Sequence, residues 1–341
     1  MKTSYVSSHI CHWIRVMICV TTIAGFTSQA FAQQPSRLPS RTGMKQHAPQ
    51  PAVRTAPSTT KGESSPLYTF TFGVIAFPRS QISVLCGIND SGRMVGGYND
   101  TNLEIYTADH GYELKGNTFS TIDYPGAQQT EVEAINKKGE MVGDFVDASG
   151  NQHGFKLAGG TYTQLDFPGT TAGTVALGIN SSGDIVGIYD NPNQTGFLLS
   201  GGTYTSIAVP GAALTYAEGI NKHGVIAGYY FDTSGNSHGF TWDKGTITTI
   251  DYGNGYPNTY LAGVDDNGVI VGGYGSEITV GSFSYPWEHG FLYSGGTFST
   301  FDAPFGDVVI TSPFGINNNG EIVGTYVDSQ GMNYGFYLKA Q

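Results

Sequence analysis

The chain has 341 residues, with 16 Lys and Arg against 27 Asp and Glu, for a formal net charge of −11. Only 13% of its residues are charged, against about 25% in an ordinary globular protein, while Gly stands at 49, Tyr at 21 and Phe at 19. That composition argues against long helices, which need more Ala, Leu, Glu and Lys, and the net charge argues against nucleic acid and anionic membranes as partners.

The N-terminus reads as an export signal. Lys2 and Arg15 precede an apolar run, Val16 to Phe26, and Ala30-Phe31-Ala32 follows as a small-residue cleavage site ahead of Gln33. An 11-residue run is well short of the ~20 needed to span a bilayer. The expected compartment is therefore periplasmic, cell-surface or extracellular, with no membrane insertion after cleavage. Cys11 and Cys19 fall inside this signal, so the mature chain keeps one thiol, Cys86, and no internal disulfide. Its stability must come from core burial.

Residues 33–66 are rich in Pro, Ser, Thr, Gln and Arg and predict a disordered tether. Residues 1–66 hold seven of the 16 basic side chains and a single acid, Glu63. The remaining stretch, 67–341, has a net charge of −17.

From Leu67 the texture changes to short strands. Residues 67–77, Leu-Tyr-Thr-Phe-Thr-Phe-Gly-Val-Ile-Ala-Phe, form a strand-like run ending at Pro78. Six repeats follow, each anchored on Asn or Asp with Gly three residues later: Asn89, Asn136, Asn180, Asn221, Asp265 and Asn317. The anchors are 47, 44, 41, 44 and 52 residues apart, a period in the range of propeller blades. Each unit offers four strands. Strand A ends in small-Ile-Asn, and Asn-x-x-Gly makes a tight turn. Strand B reads Ile-Val-Gly, strand C carries His-Gly-Phe, and strand D follows a glycine-rich hairpin.

The sixth unit lacks a strand D, and the early strand 67–77 has the D pattern. The sequence thus predicts an all-β, six-bladed β-propeller of four-stranded blades, with the ring closed by that N-terminal strand. Closure removes the exposed sheet edges of an open array.

Gly-Ile-Asn-x-x-Gly-x-Ile-Val-Gly-x-Tyr followed by His-Gly-Phe resembles the HAF-repeat family of bacterial extracellular repeat proteins, over essentially all of 67–341. The chain departs from it with Gly in place of Ala in the tripeptide, and with Thr195-Gly196-Phe197 and Tyr334-Gly335-Phe336 in two copies. The resemblance implies an exported, propeller-like protein and lends no catalytic residues.

Repetition weakens the most site-like residues. His110, His153, His238 and His289 recur once per blade, on the order of 10–20 Å apart, too far to share a metal ion. Asp147 and Asp232 sit in loops that lack the alternating carboxylates of a calcium site and read as B–C turns. No metal site and no cofactor are expected. Two breaks in the repeat stand out. The fifth unit's long B–C loop, Gly275 to Glu288, contains Phe283, Tyr285 and Trp287, next to Tyr252 and Tyr256 in the preceding D–A loop. If exposed, these aromatics would suit a sugar ring or a protein partner; if packed over their own loop, they would form a lid. Glu131, Glu133 and Glu218 lie on strand A, are not repeated, and could line an axial channel as weak catalytic candidates or as solvated lining. The expectation is a monomeric recognition module for an envelope glycan or protein; the alternative is a hydrolase or lyase using channel carboxylates.

Overall fold

The computed structural model describes residues 53–54, 70–75, 82–99, 109–170, 172–191, 193–280 and 283–340. The expected signal peptide and most of the tether lie outside that set. The described residues form six antiparallel sheets of blade type plus one small hairpin, with no helix among them. The second blade shows the pattern: strand A, Gln129–Ile135, pairs with B, Met141–Val146, then C, Gln152–Ala158, then D, Thr161–Leu165.

Closure occurs as the repeat count requires. Phe70–Ile75 pairs with Asn333–Ala340 and serves as strand D of the sixth blade. Val53–Arg54, inside the stretch expected to be a tether, adds a fifth strand outside it, with Val53 opposite Gly73 and Arg54 opposite Phe72.

Every strand A carries a β-bulge at the same place. The register skips Cys86, Glu133, Leu177, Glu218, Ala262 and Phe314. The bulge pushes the strand A backbone toward strand B, which explains the glycine of Ile-Val-Gly. A Cβ on Gly96 would lie 2.0 Å from the Val84 carbonyl oxygen, a distance no side chain tolerates. The small residue after each bulge has a related cause: a Cβ on Gly219 would come within 2.5 Å of the Ala262 carbonyl of the next blade.

The anchor asparagines join the blades. Each Oδ1 accepts hydrogen bonds within its own turn, as in Asn136, which takes the amides of Lys138 and Glu140. Each Nδ2 donates to the next anchor's backbone carbonyl: Asn89 to Asn136, Asn136 to Asn180, Asn180 to Asn221, Asn221 to Asp265, and Asn317 back to Asn89, at 2.9–3.1 Å. Asp265 has no Nδ2 hydrogens, so the belt is open between the fifth and sixth blades.

Candidate functional site

The A–B and C–D turns share one face of the propeller, the turn face; the B–C and D–A connections share the other, the loop face. Strand A lines the axis, and its bulge residue and the residue two before it form two inner layers of the channel.

On one side that interior is apolar. Val175 and Leu177, Tyr216 and Tyr229, Tyr260 and Ala262, and Ile310 and Val327 come from four blades yet belong to a single buried cluster. The four blades are consecutive, and the cluster runs through their strand A residues and the strand B residues paired with them. Tyr285 and Trp287 complete it, at 7% and 2% exposure. The Trp287 indole N–H donates to Ser237 Oγ at 2.9 Å, and the ring packs 4.4 Å from Tyr260 and edge-on to Tyr229. The loop is folded inward by backbone contacts: Glu288 N–H donates to the Tyr274 carbonyl and Thr311 N–H to the Glu288 carbonyl. Gly275 permits the approach, since a Cβ there would lie 2.6 Å from the Glu288 nitrogen. Tyr285 and Trp287 thus plug the loop-face end of the channel; they do not form an exposed platform. Burial of two large rings against other aromatics outweighs their exposure to water. Phe283 lies in the short strand Phe283–Tyr285, and its side chain lies outside the described set.

Tyr252 is also a packing residue. It stacks on Tyr274 of the next blade with centroids 3.6 Å apart, as Tyr124 does on Phe145 and Phe167 on Tyr189. This repeat escaped the sequence reading because different aromatic types occupy the position. Tyr256 is different. It is half-buried beside the exposed Gly253-Asn254-Gly255 turn and meets Tyr274 edge-on at 5.0 Å.

The other side of the channel is acidic. Glu131, Glu133 and Asp144 are each at most 5% exposed, and one carboxylate oxygen from each lies within 4.8 Å of the others. Asp144 enters because strand B pairs it directly with Glu131; Gln152 donates to it at 2.7 Å. Glu218, buried at the matching bulge two blades on, lies outside this group. Sequence reasoning missed Asp144, although the positions equivalent to it are Gly97, Ile188, Tyr229, Gly273 and Thr325. Ionised carboxylates this close repel one another, and a cation among them would offset that repulsion. Glu131, Glu133 and Asp144 are the set that could hold a hard cation through oxygen ligands. At the turn-face end the channel widens into a cavity of about 90 Å³, lined by the anchor residues and by Lys137, Lys222 and Asp266.

The repeated histidines are loop braces. His153 Nδ1 lies 2.8 Å from Asp166 and its Nε2 3.6 Å from Asp147; His238 sits likewise between Asp251 and Asp232. His289 lies between Asp302 and Glu288, and the Asp302 carboxylate raises its pKa. Asp147 accepts the amides of Ser149 and Asn151 and the Asn151 side chain, which together hold its carboxyl down at about 2. Both Asp loops are therefore hydrogen-bonded turns, as expected.

Charge is partitioned between the two faces. Arg93, Lys137, Lys138 and Lys222 belong to A–B turns, and Lys115 and Lys244 to C–D turns. Lys156 and Lys339 reach back to Glu140 and Glu321 at the same end. Among the described residues the one further Lys or Arg is Arg54, opposite Phe72 on the added outer strand. The loop face carries none of them. It carries the strand D ends Asp123, Asp166, Asp251 and Asp302, the B–C loop acids Asp109, Asp147, Asp232, Glu277 and Glu288, and also Asp190, Asp307 and Asp328.

Similarity to known proteins extends to the fold. No family model matches the chain, and no curated protein matches it by sequence. Among solved structures, a TolB candidate from Agrobacterium tumefaciens superposes with a TM-score of 0.52 at 13% identity, covering 82% of this chain and 99% of that one. A gluconolactonase from Xanthomonas campestris gives 0.50 at 11% identity, covering 87% and 99%. The propeller domain of the Trilobed protease from Pyrococcus furiosus gives 0.47 at 9%, covering 84% and 96%. At such low identity the superpositions on the first two speak to a shared fold alone.

Proposed function

We propose that this chain is an exported recognition propeller that binds a basic protein segment through its loop face. The observation that carries this reading is the charge partition: the carboxylates named above crowd one face without a Lys or Arg among the described residues there. Such a field raises encounter rates with cationic partners and repels anionic glycans. Hydrogen-bonded Asp turns and His braces pre-organise the loops, so binding orders little new backbone. Export rests on the N-terminal signal pattern of the sequence.

The test is binding of a lysine-rich peptide, a neutral glycan set and an anionic glycan set to the chain and to two variants. Glu277→Lys with Asp307→Lys changes exposed loop-face acids outside the braces. Asp243→Lys changes an exposed acid at the turn face. The reading expects about a tenfold loss of peptide affinity in the first variant and little change in the second. Equal losses, or binding confined to glycans, would sink it.

A second reading is favoured by one observation, the convergence of Glu131, Glu133 and Asp144. Here the channel works as a hydrolase or lyase centre in which these acids hold a cation or move protons. Luminescence of added terbium, quenched by calcium and lost in Glu131→Gln, would support it. Terbium signal unchanged by that substitution would remove it.

A further inference from the structure

We propose that acid releases the basic partner from the loop face, because His153, His238 and His289 are titratable counter-charges among the carboxylates that hold it. This regulation rests on the loop-face reading above.

Each imidazole bridges two acids that come from different connections. His153 lies 2.8 Å from Asp166, after strand D, and 3.6 Å from Asp147, in the B–C turn. His238 lies 2.9 Å from Asp251 and 3.5 Å from Asp232, and His289 lies 3.0 Å from Asp302 and 3.7 Å from Glu288. The remaining contacts are with an amide and aromatic rings. Gln164 Nε2 is 3.0 Å from His153, Phe145 stacks on His153 and Tyr230 on His238, and Tyr256 and Tyr274 pack on His289. No Lys or Arg among the described residues lies on that face to blunt the effect. The three histidine side chains are 21–30% exposed, so a proton and a partner both reach them.

Histidine is the side chain that ordinarily changes charge between pH 5 and 8. Its neighbours here are built to stay ionised through that range. The Asn151 side chain and turn amides hold Asp147 at about 2. Against burial, which raises it, the amides of Asn236 and Ser234 keep Asp232 below its ordinary value. With neutral imidazoles the three clusters carry six negative charges; with all three protonated they carry three. A lysine side chain on the partner keeps its charge throughout, since it titrates near 10.4. Each exposed charge pair alters affinity about two- to threefold, so three compound to roughly tenfold. Linkage also runs backwards: a bound basic partner disfavours the imidazolium forms and must expel protons.

Calorimetric binding of the lysine-rich peptide to the full chain, at fixed ionic strength, tests this. Affinity should be about tenfold weaker at pH 5.5 than at pH 8.5. At pH 6.5, titrations in two buffers of different ionisation enthalpy should show protons released on binding. In the triple variant His153→Gln, His238→Gln, His289→Gln, whose amides can still donate to the same acids, the pH effect should shrink below about threefold. Circular dichroism checks that this variant is folded; if it is not, the proton count on the unaltered chain decides. Equal affinity at the two pH values, no proton release, or a full pH effect in the folded variant would each overturn the counter-charge role while leaving peptide binding intact. Absence of peptide binding at pH 8.5 would instead remove the loop-face reading, and this regulation with it.

Discussion

The open step in the asparagine belt allows a sharp test of what holds the ring together. Five anchors donate a buried Nδ2 hydrogen bond to the next blade, and Asp265 cannot. In Asp265→Asn the retained Oδ1 still accepts the amides of Asn267 and Val269, both at 2.8 Å in the native turn. The new amide replaces a carboxylate oxygen that takes only a 3.2 Å bond from the Asn267 side chain, and it gains the Asn317 carbonyl. One buried hydrogen bond gained for one half-exposed bond lost gives about 1 kcal/mol of stabilisation. For a domain of this size that raises Tm by roughly 2–4 °C. The converse, Asn221→Asp, removes a buried link and places a carboxylate against the Asp265 carbonyl, costing about 1–3 kcal/mol. Calorimetry of both variants measures this. If Asp265→Asn is neutral or lowers Tm while Asn221→Asp is harmless, the belt contributes nothing and blade packing alone closes the ring.

Other expectations follow from the same geometry. Trp287→Ala should cost about 3–5 kcal/mol by emptying the axial plug, read as a Tm loss; a change under about 1 kcal/mol would mean the loop refills the space. Gly228→Ala should prevent native packing of the fourth blade, because its Cβ would lie 2.0 Å from the Tyr216 carbonyl; a soluble variant with native circular dichroism would contradict the bulge explanation. The His289 brace predicts a pH dependence. Its folded pKa is raised, so its contribution is complete below about 6.5 and fades as pH rises through the folded value. His289→Gln should therefore lower Tm more at pH 5.5 than at pH 8.5, and an equal loss at both would count against the brace. Glu321, lowered by Asn317, Tyr337 and Lys339 despite burial, works in the opposite sense: its contribution is present above its unfolded pKa and is lost as pH falls through the folded one. Glu321→Gln should lower Tm at neutral pH and matter less in acid.

The repeats made the architecture legible. Turn glycines, alternating strands and the missing sixth D strand are local signals, and counting them led to six blades closed by residues 67–77; the paired strand is Phe70–Ile75. The histidines and the Asp147 and Asp232 turns were also readable as blade grammar, since their partners lie within one repeat. Even the charge partition was present in the sequence, because membership of a turn or a loop fixes the face; net charge alone had hidden it.

Only the tertiary structure decided what faces the axis. Glu131 and Glu133 had a third partner in Asp144, on the neighbouring strand, while Glu218 belonged elsewhere on the ring. Trp287 and Tyr285 looked equally suited to solvent or to packing over their own loop. They turned inward because side chains from four blades, up to about a hundred residues distant in the chain, supply an apolar cluster that no single repeat contains. A repeat determines its own strands and turns through neighbouring residues, whereas the channel is made where all the repeats meet.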